Sequence, residues 1–76
     1  MDAETPIGRA VREVGSQSAL ARAVGVSPQA VQQWLEADRV PAERVLAVET
    51  ATGGAVTRHD LRPDVFGPAP ATEVAR

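Results

Sequence analysis

The sequence predicts a small all-α domain of four to five short helices with a disordered C-terminal tail, and three recurring signals support this prediction. Helix starts are marked by a capping Ser or Thr, at Thr5-Pro6, Ser16-Gln17 and Ser27-Pro28. Apolar residues recur at helical spacing after each start. Glycines then end the helices, at Gly15, Gly25 and Gly53-Gly54. We expect one compact domain over residues 5–66 and a tail over 67–76, where the sequence has no periodicity.

The first three helices are expected over residues 6–14, 17–24 and 28 to about 35 or 36. In the first helix, four residues form one apolar stripe: Ile7, Ala10, Val11 and Val14. Between the second and third helices, Gly25 supplies a turn conformation that a side chain would resist.

The second half of the chain predicts one longer helix and one short turn. Residues 38–41 are expected to form a loop, and a fourth helix should follow over residues 42–52. Its inward-facing residues are expected to be Val45, Leu46 and Val48. Residues 57–60 resemble a capping box in which Asp replaces Glu, so they predict a single helical turn that Pro63 ends.

Composition excludes several classes of protein. The chain has 76 residues, no cysteine and one histidine, which argues against disulfides, a zinc or other metal site, and acid–base catalysis. No apolar run is long enough to span a bilayer, and the N-terminus lacks the pattern of a signal segment. We therefore expect a cytoplasmic protein that is not an enzyme, without cofactor, membrane or small-molecule partner.

The charge of the chain is unevenly distributed. The formal net charge is −2, which argues against a general polyanion binder. Residues 5–62, however, hold seven arginines and six acidic residues, a net charge of +1. All eight basic residues are arginine, which suits bidentate phosphate contacts, although a GC-rich genome explains the absence of lysine more simply.

The third helix carries the strongest functional signal. At about 100° per residue, three glutamines cluster on one side of this helix and three apolar residues on almost the opposite side. The glutamines are Gln29, Gln32 and Gln33, and the apolar residues are Val31, Trp34 and Leu35. A glutamine amide presents a donor and an acceptor together, which matches adenine N6 and N7 in the DNA major groove. We expect the apolar face to dock on the second and fourth helices and the glutamine face to read bases; neutral surface filler is the alternative.

Several strings of residues resemble a known family. The segment from Ser16-Gln17-Ser18-Ala19-Leu20-Ala21 to Val24-Gly25-Val26-Ser27 resembles the helix-turn-helix of phage Cro and CI repressors. Downstream strings are Gln33-Trp34-Leu35, Val40-Pro41-Ala42-Glu43-Arg44, Glu49-Thr50-Ala51-Thr52-Gly53-Gly54 and Thr57-Arg58-His59-Asp60-Leu61-Arg62-Pro63-Asp64-Val65-Phe66. Together they make about residues 7–66 similar to the Cro/YdaS group of small prophage regulators. The resemblance implies a lambda-repressor-like helix-turn-helix domain that binds double-stranded operator DNA as a homodimer and represses transcription.

The resemblance also implies roles for individual residues. It puts Gln17 and Ser27 on phosphates, and it puts four residues of the third helix toward bases: Pro28, Gln29, Ala30 and Gln33. The glutamine face of the third helix adds Gln32 to the residues expected to contact bases. The arginines expected to contact phosphates are Arg22, Arg39 and Arg44. For Arg39 and Arg44, ordinary surface pairing with Glu36 and Glu43 is the alternative.

Some alternatives stay open at the level of sequence. Some relatives are described as antitoxins, so a protein-interaction module with weak or no specific DNA binding is the second reading. The wider Cro family pairs through a β-hairpin that this chain lacks, so Val65 and Phe66 are candidates for the pairing surface or, equally, for the monomer core. Glu49 falls in an apolar sector, where it either pairs with Arg58 or Arg62 or reaches water.

Two further residues are expected to have structural roles only. Trp34 is the only tryptophan, and one isolated aromatic residue does not make a stacking platform for single-stranded nucleic acid, so we expect it to pack in or near the core. His59 is expected to be a solvated turn residue.

Overall fold

The computed structural model describes residues 5–68, and these residues form six helices and no strand. The four longer helices are α1 (Pro6–Val14), α2 (Gln17–Val24), α3 (Pro28–Ala37) and α4 (Ala42–Ala51). Two single turns follow, α5 (Arg58–Leu61) and α6 (Pro63–Phe66). The predicted all-α fold class is confirmed. Most of the predicted tail, from residue 69 onward, lies outside the described residues.

The first three helices begin where the capping signals predict. Thr5 Oγ1, Ser16 Oγ and Ser27 Oγ each accept a hydrogen bond from the backbone N–H three residues later, at 3.1, 3.0 and 3.2 Å. Each bond satisfies one of the free N–H groups of a first helical turn, which contributes about 1 kcal/mol. Proline occupies the first position of α1 and α3, where its missing N–H costs nothing.

The turn between α2 and α3 requires Gly25. Its backbone is left-handed, with φ 90° and ψ 31°, a conformation that costs a side-chain-bearing residue free energy. The N–H groups of Gly25 and Val26 both donate to the carbonyl oxygen of Ala21, at 2.8 and 2.9 Å, and close the end of α2. Ala21 is itself buried, and its small side chain suits the close packing of α2 against α3.

Helix α2 lies at the centre of the domain and packs against α1, α3 and α4. The buried core residues are Ile7, Ala10, Leu20, Ala21, Val31, Trp34, Val40, Val45, Val48, Val56 and Leu61. The prediction that Trp34 packs in the core is confirmed, since it is 6% exposed. The expected docking of α3 on α2 is confirmed, and Val31 and Trp34 of α3 share one buried core with Val45 and Val48 of α4.

The second half of the chain departs from the sequence-based expectation at two points. Leu46 is 46% exposed rather than inward-facing. At about 100° per residue, Leu46 lies to one side of the direction shared by Val45 and Val48, and those two valines fill the core. Helix α5 ends before Pro63, as predicted, but Pro63 also starts α6, a turn that was not predicted, because its fixed φ suits a first helical position.

The capping box predicted for α5 is confirmed. Thr57 Oγ1 accepts a hydrogen bond from the Asp60 backbone N–H at 3.2 Å, and Asp60 Oδ2 accepts one from the Thr57 backbone N–H at 3.1 Å. Arg9 of α1 also donates to Asp60 Oδ2 at 3.1 Å. The same carboxylate therefore closes α5 and ties it to the first helix.

Arg62 ties the end of the domain to the loop before α4. Its Nη1 donates to the carbonyl oxygen of Val40 at 2.9 Å, and its Nε and Nη2 donate to the two carboxylate oxygens of Asp64 at 3.0 and 2.8 Å. A bidentate pair of this kind is among the stronger side-chain contacts. Arg62 is therefore committed to this junction, and it is not the partner of Glu49.

His59 is not the fully solvated residue that the sequence predicts. It is half-buried, and its Nδ1 lies 3.1 Å from the carbonyl oxygen of Gly67. Helix α6 explains the difference, because it turns the chain back toward α5 and brings Gly67 against the imidazole. Phe66 is also half-buried and packs against the core, whereas Val65 is 49% exposed.

Candidate nucleic-acid interface

Helix α3 has one buried and one exposed face, as the sequence predicts. Val31 and Trp34 are buried, and Leu35 packs partly against the same core. The exposed residues of this helix include Pro28, Gln29, Gln32, Gln33 and Glu36. The burial of one face fixes the helix on the domain, so the opposite face stands in solvent along most of its length.

Ala30 differs from the other residues expected to contact bases. It is half-buried and packs against the core, and its backbone N–H is taken by the Ser27 cap. The structure thus brings Pro28, Gln29, Gln32 and Gln33 together on the outer face and leaves Ala30 at its edge.

Gln32 has a partner that the sequence analysis missed. Its Nε2 donates a hydrogen bond of 3.1 Å to Oε2 of Glu36, one turn further along the helix. The signal was present in the sequence, since polar residues four apart on a helix are neighbours on its surface. Gln29 and Gln33 are exposed, and no side-chain hydrogen bond engages them within residues 5–68.

The predicted phosphate contacts surround the helix starts. Ser27 is exposed, and because its oxygen accepts from the Ala30 N–H, its own hydroxyl proton stays available to an anion. Gln17 is half-buried at the first position of α2, and Arg22 is exposed in the last turn of that helix. A helix N-terminus favours anions through its free N–H groups and its dipole.

The two remaining arginines follow α3 in the chain. Arg44 is exposed in the first turn of α4, and no ion pair with Glu43 forms in the described structure. Arg39 is exposed and lines a cleft of about 350 Å³ that also contains Asp38, Arg62 and Asp64. The acidic neighbours of Arg39 compete with phosphate for its guanidinium.

The shifted carboxylates serve structural pairing rather than acid catalysis. Hydrogen bonds from Arg62 lower the pKa of Asp64 to about 2. The backbone N–H of Thr57 is the main cause that lowers the pKa of Asp60, and the backbone N–H of Arg58 is the main cause that lowers the pKa of Glu49. All three groups are therefore ionised near neutral pH, and none is tuned to exchange protons there.

Among residues 5–68, no three His, Cys, Asp or Glu side chains stand close enough together to hold a metal ion. None of the helices in the same range is long and apolar enough to cross a membrane.

The capped helices α2 and α3, the left-handed glycine between them and the exposed outer face of α3 define a helix-turn-helix domain. The family described as "Bacterial toxin YdaS" matches residues 7–70. The chain belongs to this family, so the resemblance inferred from its motifs is confirmed.

A curated relative supports the same assignment. The protein of Escherichia coli (strain K12) named "Putative transcriptional regulator YdaS" is 55% identical over 53 residues, which cover 68% of this chain and 54% of that protein. The chain thus spans about half the length of this curated relative.

Two solved structures are also similar. One is the Cro protein from the prophage element Xfaso 1 in Xylella fastidiosa strain Ann-1, with a TM-score of 0.81 and 48% identity over 83% of this chain and 97% of that one. The other is XPH1, a hybrid sequence of two Cro proteins with different folds, Xfaso 1 and Pfl 6. It has the same identity and coverage but a TM-score of 0.59.

Proposed function

We propose that this protein is a sequence-specific DNA-binding transcriptional repressor of the Cro type, which reads the major groove with α3. The observation that carries this proposal is the exposed glutamine face of α3, held outward by the buried Val31 and Trp34 on the opposite side. A solvated helix face more often carries charged residues. Uncharged amides approach base edges with a smaller desolvation cost than charged groups, and they offer both a donor and an acceptor.

Recognition begins with contacts to the DNA backbone. The hydroxyl of Ser27 and the amide of Gln17 meet phosphates at the starts of α3 and α2. The charged contacts come from three arginines: Arg22, Arg39 and Arg44. These contacts carry no sequence information, but they set the register of α3 in the groove. They also make binding sensitive to salt.

Base readout then falls to the outer face of α3. Gln29 and Gln33 each offer an amide that fits the N6 and N7 edge of adenine. Pro28, without an N–H, makes an apolar contact with a thymine methyl group. Because so few side chains read bases, each helix distinguishes only a few base pairs.

A homodimer on the operator follows from this limit. One short helix in one groove cannot single out a site in a genome, whereas two copies related by a two-fold axis read two half-sites about 34 Å apart. The exposed apolar side chains of Val65 and Leu46 are candidates for the pairing surface. A repressor acts where the chromosome lies, so we place the protein in the cytoplasm.

The relatives support a regulatory role. The curated relative carries the name of a transcriptional regulator, and the solved relative of Xylella fastidiosa is a Cro protein.

Selection of bound sites from random double-stranded DNA, at a stated salt concentration, tests the proposal. We expect one enriched motif with two-fold symmetry and half-sites about one helical turn apart. The double variant Gln29→Ala/Gln33→Ala should lose the motif. Thr50→Ala, an exposed change on α4, serves as the matched control and should keep it. Equal recovery of all sequences by the unmodified protein would contradict the proposal.

The family description favours a second candidate, a protein-interaction module whose partner is another protein. The word "toxin" in that description and the exposed Leu46 and Val65 are the observations behind it. This candidate predicts no enriched DNA motif, together with an effect on cell growth that Leu46→Ala or Val65→Ala abolishes. The DNA selection and the growth assay therefore separate the two functions.

A further inference from the structure

We propose that Glu36 is a specificity-determining residue: it fixes the side-chain amide of Gln32 in one orientation, so that α3 accepts adenine or cytosine and rejects guanine at the base that Gln32 reads. This inference rests on the proposed function, since it concerns the same face of α3. It adds a residue outside the set expected to contact bases. It also states which bases are accepted, and which base is rejected, at the position that Gln32 reads.

The geometry of the pair sets the orientation. Gln32 Nε2 and Glu36 Oε2 are 3.1 Å apart, and both side chains are exposed on the outer face. A carboxylate only accepts hydrogen bonds, so the –NH₂ end of the amide must face it. The reversed amide would place Gln32 Oε1 against a charged oxygen, which is repulsive. The hydrogen bond therefore turns Oε1 away from Glu36, and one N–H of Nε2 remains unused.

A fixed amide changes what Gln32 can read. Oε1 needs a donor, and in the major groove adenine offers the N6 amino group and cytosine the N4 amino group. Guanine presents only acceptors there, O6 and N7, and thymine presents O4. The remaining N–H of Nε2 can reach guanine N7, but Oε1 beside it would then face guanine O6, and two acceptor oxygens repel each other. Without Glu36, the glutamine could turn its whole –NH₂ toward guanine instead.

The position of Glu36 is otherwise unfavourable for a DNA-binding helix. It lies in the last turn of α3, where the helix dipole disfavours an acidic residue, and no basic residue is present in that turn. Its charge also repels nearby phosphates. The residue therefore lowers affinity for every sequence, and its favourable contribution is discrimination between sequences, as in other interfaces that use repulsion for specificity.

Site selection with Glu36→Ala tests the inference, since alanine is the best helix former and keeps α3 intact. We expect tolerance of guanine at one position per half-site to rise at least about fivefold, a lower bound for losing one base-specific contact, while the other positions keep their preferences. Glu13→Ala removes the same charge from an exposed site on α1 and should leave every position unchanged. Continued rejection of guanine by Glu36→Ala overturns the inference and leaves the proposed function standing.

Glu36 has two expected effects: it fixes the Gln32 amide, and its charge repels DNA of any sequence. A double-mutant cycle separates these effects. In a Gln32→Ala background, Glu36→Ala should no longer change any base preference, although it should still raise affinity for all sequences. If the Glu36 effect on base preference persists without Gln32, the inference is wrong. Failure of the unmodified protein to select any site contradicts the proposed function, and this inference with it.

An NMR measurement on the free protein checks the hydrogen bond without DNA. The two side-chain amide protons of Gln32 should shift in Glu36→Ala, whereas those of Gln29 and Gln33 should not. Unchanged Gln32 signals would show that the amide is not held, and they would overturn the inference even if DNA is bound.

Discussion

The carboxylate of Glu49 caps helix α5 from a neighbouring helix: Oε1 accepts one hydrogen bond from the backbone N–H of Arg58 at 2.9 Å and a second from Arg58 Nε at 3.0 Å. The side chain of Glu49 is only 24% exposed, so these bonds compensate for most of its lost hydration. Of the two partners that the sequence offered, the structure selects Arg58. One oxygen atom thus joins α4 to the start of α5.

Glu49→Ala should therefore destabilise the fold. The variant leaves the Arg58 N–H without its partner and removes a charge-assisted bond, a loss of about 1.5–3 kcal/mol, reduced because Arg58 is partly exposed. Urea unfolding at pH 7 gives the free energy of unfolding. Glu43→Ala removes an exposed acid that favours the N-terminus of α4 through the helix dipole; it is the control and should cost no more than about 1 kcal/mol. Equal stability of the two variants would contradict a structural role for Glu49.

Low pH should lower the free energy of unfolding, because it protonates carboxylates that accept hydrogen bonds, as Glu49 does. The pKa values of Glu49 and Asp60 are lowered by hydrogen bonds from Arg58 and Thr57, and that of Asp64 is lowered from 3.8 to about 2 by Arg62. A carboxylate whose pKa is lower in the folded protein stabilises the fold at pH values above its pKa in the unfolded chain. This contribution is lost as the pH falls through the pKa of the folded state. We expect the urea midpoint to be flat above about pH 5 and to fall between about pH 4.5 and 2.

Asp64→Asn tests whether protonation of Asp64 causes the loss of stability in the lower part of this pH range. The variant should show a smaller decrease in the urea midpoint between about pH 4 and 2, because it has no carboxylate to protonate at that position. Glu13→Gln, an exposed site on α1, should reproduce the profile of the unmodified protein. A midpoint that stays constant down to pH 2 would show that these carboxylates do not stabilise the folded state.

The starts of the helices could be predicted because their signals are local. Thr5, Ser16 and Ser27 each act within three residues of themselves, and the capping box at Thr57 does the same. The orientation of Leu46 was mispredicted and α6 was not predicted, because both depend on what the rest of the chain packs against them. The contact of His59 with Gly67 likewise depends on α6, which the sequence analysis did not anticipate.

The exposed face of α3 could also be predicted, since helical periodicity alone separates Gln29 and Gln33 from Val31 and Trp34. The partners of the arginines could not. Arg62 bonds to Val40 and Asp64 across a junction of the tertiary structure, and nothing in the spacing of these residues indicates it. The base and phosphate contacts themselves remain predictions.

Gln29→Ala and Gln33→Ala should each weaken specific DNA binding without unfolding the domain. Both side chains are exposed, so their removal opens no cavity. Each change should cost about 1–3 kcal/mol in binding to the selected site and relax the preference at one base pair per half-site. Fluorescence anisotropy with matched and mismatched duplexes measures both effects. Full affinity and unchanged base preference in both variants would refute readout by glutamine.

Binding should decrease with salt to a moderate extent. With about three charged contacts per subunit, the slope of log K against log salt concentration should be near −5 for a dimer. Arg44→Ala should make this slope shallower by about 2, one unit for each subunit. Arg9→Ala should not change it, because Arg9 pairs with Asp60. A slope near zero would support the protein-interaction candidate instead.

Phe66→Ala and Val65→Ala distinguish the core from the pairing surface. Phe66 packs against the core, so its removal should lower the free energy of unfolding by about 1–3 kcal/mol, less than for a fully buried phenylalanine. It should leave the dimer dissociation constant unchanged in sedimentation. Val65→Ala should leave monomer stability nearly unchanged and weaken the dimer, since its side chain is exposed. The reverse pattern would place Phe66 at the interface.

The hydroxyl cap at Ser27 has a consequence for how new binding preferences can arise. Because Ser27 and Pro28 fix the start of α3 by themselves, and Val31 and Trp34 anchor its inner side, the helix does not depend on the identity of its outer residues. A library randomised at positions 29, 32 and 33 should therefore consist mostly of folded proteins that differ in the operators they recognise. Under the proposed function, the same separation would let relatives of this chain change the DNA sequences that they bind by a few substitutions, without first acquiring compensating changes in the core.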